Sequence, residues 1–170
     1  PNKKSPKLFE NSALEALTRS NIYVIDGMYV VISLSLMAYY YFYVEANLLS
    51  IAWWYVTGLF AWTLAEYLMH RFLYHKIKDA SYDTGLQYLF HGIHHQYPHD
   101  EDRIVLPPVP SLIFAVVFFT VFYLIMGNMA FTFGTGFVNG YIIYITIHWM
   151  VHKRKPPTKY NWWWTNHNIH

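Results

Sequence analysis

Residues 111–151 read SLIFAVVFFTVFYLIMGNMAFTFGTGFVNGYIIYITIHWMV, forty-one positions without one Asp, Glu, Lys or Arg. The stretch divides at Gly127-Asn128-Met129 into segments 111–126 and 130–151. A helix needs about 20 apolar residues to cross roughly 30 Å of hydrocarbon, so the second segment is long enough. The first is short, and either tilts or is extended backward through Pro108 to Pro110, residues tolerated at a helix start. A three-residue link between the two leaves only a tight helical hairpin. Toward the N-terminus the pattern repeats. Residues 22–44 (IYVIDGMYVVISLSLMAYYYFYV) carry only Asp26, residues 48–69 (LLSIAWWYVTGLFAWTLAEYLM) carry only Glu66, and Glu45-Ala46-Asn47 links them. The expected fold is an all-α integral membrane protein, with four transmembrane helices in two hairpins.

The charges test this against a soluble protein with apolar core helices. The chain has 170 residues, 55% hydrophobic and 13% charged, about half the charge of a globular norm near 25%. Its twelve Lys and Arg fall at 3, 4, 7, 19, 71, 76, 78, 103, 153, 154, 155 and 159. None is in a hairpin link. Four spans put the N-terminal segment, the middle segment and the C-terminal tail on one side, which the positive-inside rule makes cytoplasmic. A soluble helical protein has no reason to sort charge this way. Tyr39 to Tyr43, Trp53 to Tyr55 and Trp162 to Trp164 are expected at membrane interfaces, where amphipathic rings settle. Asp26 is expected to reach the headgroups. The net charge of +2 gives no argument for nucleic acid. Zero cysteines exclude disulfides, thiolate metal sites and a cysteine nucleophile.

All ten histidines lie between residues 70 and 170, on the basic side. Nine fall into four groups: His70 and His75; His91, His94 and His95; His148 and His152; His167 and His170. Positions i, i+3 and i+4 share one helical face, so the last three groups can each aim their rings at one place. His70 and His75 diverge by about 140° on a regular helix, and converge only if the helix ends or bulges between them. Neutral imidazole is the commonest nitrogen ligand for zinc, iron, copper and nickel. Nine rings exceed what one ion takes, so two metal ions are expected. Glu66, one turn before His70, is placed to accept the spare ring N–H of a metal-bound histidine and fix its tautomer. His99 follows Pro98, shares no helical register with the second group, and reads as a solvated loop residue.

These residues resemble the fatty acid hydroxylase/sterol desaturase superfamily of integral-membrane di-iron enzymes, within it most closely the fatty acid 2-hydroxylase branch. The likeness rests on His70-Arg-Phe-Leu-Tyr-His75 with its five-residue step and on Leu89-Phe90-His91-Gly92-Ile93-His94-His95. It continues through Pro98-His99-Asp100-Glu101-Asp102-Arg103 and Pro107-Pro108, then His148 to His152 and His167-Asn168-Ile169-His170. It implies a cytoplasmic helical cap carrying two iron ions on the nine grouped histidines, with zinc able to replace iron in purified samples. It also implies dioxygen as co-substrate, a b-type cytochrome or other electron donor in trans, and hydroxylation at the carbon next to the carbonyl of a fatty acyl lipid or ceramide. The compartment would be the endoplasmic reticulum in a eukaryote or the inner membrane in a bacterium. On this resemblance residues 1–170 are one hydroxylase domain, cut at the C-terminus. The family's last box ends in two adjacent histidines, so one further ligand is expected beyond His170.

Two other readings stay open at this point. One is sterol or carotenoid hydroxylation or desaturation on the same architecture; the other is a non-enzymatic membrane metal-binding or transport protein. A transporter would place its polar ligands near the bilayer midplane, whereas these histidines gather at one end of the spans.

Overall fold

The protein is described from a computed structural model over residues 5–74, 93–97, 100–159 and 161–169, with the backbone alone at 73, 74, 94, 95 and 166–169. The described residues form helices and no strands. A short α1 (Ser12–Ala16) leads into α2 (Ile22–Tyr43) and α3 (Leu48–Met69), which widens into a π-helical turn over His70–Tyr74. After α4 (Ile93–Gln96) and a 3₁₀ turn (Glu101–Arg103) come α5 (Pro108–Met126), α6 (Ala130–Lys153) and α7 (Trp162–Ile169).

Local chemistry sets the ends of the long helices. Asn21 Oδ1 accepts from the Tyr23 amide, and Asn47 Oδ1 accepts from Leu49 and Ser50, each satisfying amides that lack an intrahelical partner. The α2–α3 link is closed by Glu45, whose carboxylate accepts from Tyr40 Oη at 2.9 Å and Ser50 Oγ at 3.2 Å. Helix α5 takes the backward extension, starting on Pro108, where a missing N–H costs nothing. Gly127 then adopts φ +59°, a left-handed conformation that side chains resist, and the chain reverses. Phe122 meets Phe133 at 4.8 Å and Phe118 meets Phe137 at 5.0 Å, so α5 and α6 pack antiparallel.

Three segments are long and apolar enough to cross a membrane: Ile22–Tyr43, Leu48–Phe72 and the 53-residue run Glu101–Lys153. The last would measure ~80 Å as one straight helix, more than twice a hydrocarbon core; Gly127 divides it. Large apolar side chains face outward along all of them, Leu34 at 66%, Val116 at 62% and Leu124 at 78% exposure among them. In water such a surface would drive aggregation, and in lipid it is the solvated face.

Helix α6 is the hub, and α2, α3 and α5 pack chiefly on it. Helix α2 runs antiparallel to it: Ser33 Oγ donates to Asn139 Oδ1 at 2.9 Å, and Thr146 Oγ1 donates to Asp26 Oδ2 at 3.2 Å. Asn139 Nδ2 also donates to Tyr55 Oη of α3 at 3.0 Å, so one amide ties three helices together. Helix α3 runs parallel to α6 at very close range. A Cβ built on Gly58 would lie 2.0 Å from the Phe133 carbonyl oxygen, and one on Gly136 would lie 2.0 Å from that of Tyr55. One on Gly140 would lie 2.6 Å from Trp62 Cβ. Small residues that let backbones touch are the usual basis of helix association in lipid.

Three side chains depart from the sequence reading. Asp26 does not reach outward; it turns to Thr146, and its second oxygen is buried without a partner among the described residues. Tyr40 is 2% exposed and bonded to Glu45, while Tyr39, Tyr41 and Tyr43 point outward. Trp164 is buried and donates its indole N–H to the Arg154 carbonyl at 3.0 Å, holding α7 to the end of α6. In each case a polar atom found a partner inside the protein.

Candidate metal centre and the cavity beneath it

His70 sits where α3 becomes a π-helical turn. In a turn closed by i→i+5 bonds, residues five apart come back over one another, which is the bulge that a His-x4-His step requires. His75 itself lies outside the described residues. His70 Nδ1 is 3.3 Å from Glu66 Oε1, with both side chains about one-sixth exposed. With Nδ1 protonated, the ring donates to the carboxylate and Nε2 keeps its lone pair for a metal. On α6, the His148 and His152 rings lie 4.9 Å apart on one face.

The glycine contact brings these two helices into register. His70 lies twelve residues beyond Gly58, and His148 twelve beyond Gly136. On parallel helices that meet backbone to backbone at those glycines, both rings stand ~18 Å further along, at one level. Of the other predicted ligands, His94 and His95 lie on α4 and His167 on α7, backbone only. His91, His170 and the bystander His99 lie outside the described residues. Among the described residues no three His, Asp or Glu side chains converge on one point, and only His70, His148 and His152 of the nine are described with their rings. The donors present are imidazole nitrogens, one of them beside a carboxylate, and they suit iron or zinc.

The N-terminal segment straps the turn that follows α4. Arg103, its side chain 2% exposed, donates to Glu15 Oε1 at 2.7 Å, and Arg19 bridges Glu15 at 3.0 Å and Asp102 at 3.1 Å. Ser5 donates its amide at 2.8 Å and its hydroxyl at 2.5 Å to Asp100 Oδ2. Burial would raise the Glu15 carboxyl, but the Leu8 and Phe9 amides, then Arg19 and Arg103, outweigh it and hold it below its ordinary value. Asp100 is likewise opposed by burial, and lowered by Ser5, the Asp102 amide and Arg19. Both carboxyls titrate lower folded than unfolded, so their stabilisation is complete above the unfolded range near ~4 and lost as pH falls through the folded values. Protection of the Ser5, Leu8 and Phe9 amides against hydrogen exchange, corrected for intrinsic rates, should therefore hold at pH 6 and fall as the pH is taken down below about 4. Unchanged protection across that range would show the strap is held by something else.

Below the histidines lies a cavity of about 490 Å³, bounded by α2, α3, α5 and α6. It runs from Glu66 and His148 at one end to Phe119, Phe122 and Gly134 at the other, and its lining is overwhelmingly apolar. Sequence reading identified Glu66 and His148 but not the glycines that set the helix spacing. The Gly136-x3-Gly140 step in an apolar span was the available signal.

Comparison with known proteins bears on the same parts. The family model described as fatty acid hydroxylase matches residues 55–170, from the Tyr55 contact through all four histidine groups. Ceramide very long chain fatty acid hydroxylase scs7 of Schizosaccharomyces pombe is 35% identical over 162 residues, covering 92% of this chain and 45% of that protein. Human fatty acid 2-hydroxylase is 37% identical over 105 residues, 60% of this chain and 28% of its own length. The chain thus spans less than half the length of these relatives. Full-length scs7p, a solved structure with only the hydroxylase domain visible, matches with a TM-score of 0.80 at 29% identity, over 92% of this chain and 60% of that one. With a family match over more than half its residues, and a fold shared with a solved relative, the chain belongs to the fatty acid hydroxylase family.

Proposed function

We propose that this chain is the membrane domain of an acyl-lipid 2-hydroxylase acting on ceramide or a related fatty acyl lipid. Carrying the reading is one observation: Glu66, which lies 3.3 Å from the His70 ring, and His148 both line one end of an apolar cavity. In this reading α2, α3, α5 and α6 each cross the bilayer, and both termini and all four histidine groups are cytoplasmic. Residues 1–170 act as one domain, in the endoplasmic reticulum of a eukaryote or the inner membrane of a bacterium.

His70, His75, His91, His94, His95, His148, His152, His167 and His170 would hold two iron ions, which zinc can replace in purified protein. Bound there, the metal would supply the oxidising chemistry, with one atom of dioxygen entering the C–H bond and the other leaving as water, given two protons and two electrons from a b-type cytochrome or similar donor. The protein's part is placement. Glu66 holds the His70 ring in the tautomer that presents Nε2. The Gly58–Gly136 contact keeps His70 level with His148. The apolar walls hold the acyl chain and exclude water, with the carbonyl end toward the histidines.

Expression in its full coding context, in a host without 2-hydroxylated lipids, should yield 2-hydroxy acyl chains by mass spectrometry. Products hydroxylated elsewhere, or none, would defeat the proposal. Glu66→Ala should cost roughly 10–100-fold in turnover and in iron retained through purification, whereas Glu66→Gln, which keeps an acceptor oxygen, should lose less. Equal activity in all three proteins would remove Glu66 from the site.

A further inference from the structure

We infer that the cavity between the helices is the acyl-chain site, and that its floor, where Phe119 meets Gly134, sets the longest chain accepted. This rests on the 2-hydroxylation reading and adds what measures the substrate. The cavity of about 490 Å³ falls within the 300–1,000 Å³ of ordinary ligand pockets. Its polar groups are few: Glu66 and His148 lie at one end, Tyr29 Oη and Ser111 Oγ bond to each other at 2.6 Å, and Trp62, Tyr141 and Tyr144 add an indole N–H and two hydroxyls. The remaining wall is aliphatic and aromatic. A wall so largely apolar suits a hydrocarbon chain rather than a headgroup.

Length follows from the helix. From His148 to Gly134 on α6 is fourteen residues, or ~21 Å of rise. A zigzag of ~1.5 Å carbon–carbon bonds advances roughly 1.3 Å per methylene, so about 16 carbons fit between the histidine level and the floor. At the floor a Cβ on Gly134 would stand 3.2 Å from Phe119 Cδ2, and Phe119 in turn packs on Phe131 at 5.3 Å. Phe118 and Phe122 line the wall beside it, each packed on Phe137, at 5.0 and 5.1 Å between ring centres. The missing side chain at Gly134 is what leaves room beside Phe119.

Each methylene that a hydrophobic pocket gains or loses discriminates between neighbouring substrates by roughly tenfold or more. Gly134→Leu should therefore shift the 2-hydroxy products shorter, cutting the share of the longest chains at least about tenfold. Phe119→Ala should shift them longer. Leu124→Ala, on the lipid-facing side of α5, should leave the distribution unchanged. The assay is mass spectrometry of product chain lengths from cells given a mixed set of fatty acids, with size-exclusion chromatography to confirm folding. Should Gly134→Leu fail to fold, Phe119→Ala decides. Wild-type product lengths from a folded, active Phe119→Ala protein would overturn the inference, and would mean the cavity holds a structural lipid or nothing. Absence of any 2-hydroxy product from the wild type would instead overturn the reading beneath it.

Discussion

Gly136→Leu should abolish hydroxylation in a polypeptide that still enters the membrane. A Cβ at this position would sit 2.0 Å from the Tyr55 carbonyl oxygen and 3.1 Å from the Leu59 amide, both backbone atoms that cannot rotate aside. The only relief is to move α3 away from α6. Those helices carry His70 with Glu66 and His148 with His152, at equal distances from the contact. A displacement of ~1 Å at a reacting centre can cost on the order of 10²-fold in rate, and here the whole helix must shift by more. Insertion should survive, because each helix satisfies its own backbone in lipid. Turnover below about 1% of wild type is expected, with reduced iron per chain by elemental analysis. Gly27→Ala is the control, since nothing lies within 4 Å of a Cβ there. Full turnover and full metal in Gly136→Leu would mean that helix spacing does not position the ligands.

Arg103→Met should be the most destabilising single change at the histidine end. Arg103 is buried against Glu15 and Asp100, whose side chains are 10% and 1% exposed. Removing the guanidinium leaves Glu15 with the partly exposed Arg19 as its one remaining cation and Asp100 without its adjacent one; losing one partner of a buried ion pair typically costs about 3–5 kcal/mol. The strap would weaken, because the buried Glu15–Arg103 pair is lost and the Ser5–Asp100 and Arg19–Asp102 contacts are left to hold residues 5–19 to the turn at 100–103. That turn is bonded back to α4: the Asp100 amide donates to the Tyr97 carbonyl, and the Tyr97 amide to that of Ile93. Loss of the strap should therefore loosen the backbone carrying His94 and His95, and lower metal retention together with thermal stability in detergent. Arg103→Lys keeps the charge but not the planar donor fork, so it should fall between Met and wild type. A Met variant as stable as wild type would show that the ion pairs contribute nothing net.

Much of this arrangement was legible residue by residue. The borders of α2 and α3 fall within a residue or two of the apolar runs, because membrane crossing depends on summed hydrophobicity over about 20 positions, which is local. The break at Gly127 was readable for the same reason: a tight reversal needs a residue that tolerates positive φ. The His70–His75 step called for a bulged turn, and a π-helical turn begins at His70. Glu66 was placed beside His70 by helical periodicity alone.

What the sequence could not express is pairing across long separations. Ser5 with Asp100, Glu15 with Arg103, Asp26 with Thr146 and Ser33 with Asn139 join positions 88 to 120 apart, and no periodicity in either partner points to the other. The spans are apolar on nearly every side, so no polar stripe marks which face meets a neighbour. Packing of small residues made that choice, and it put α6 at the centre with α3 parallel to it. From that choice follow the level of His70 against His148 and the cavity below them. Sequence alone marks which segments are long and apolar enough to cross hydrocarbon and which residues carry imidazoles at ligand spacing, since length, charge and ring spacing act within one helix. How those helices face one another is settled in the packed fold, because close backbone contact at Gly58, Gly136 and Gly140 is a property of two helices at once.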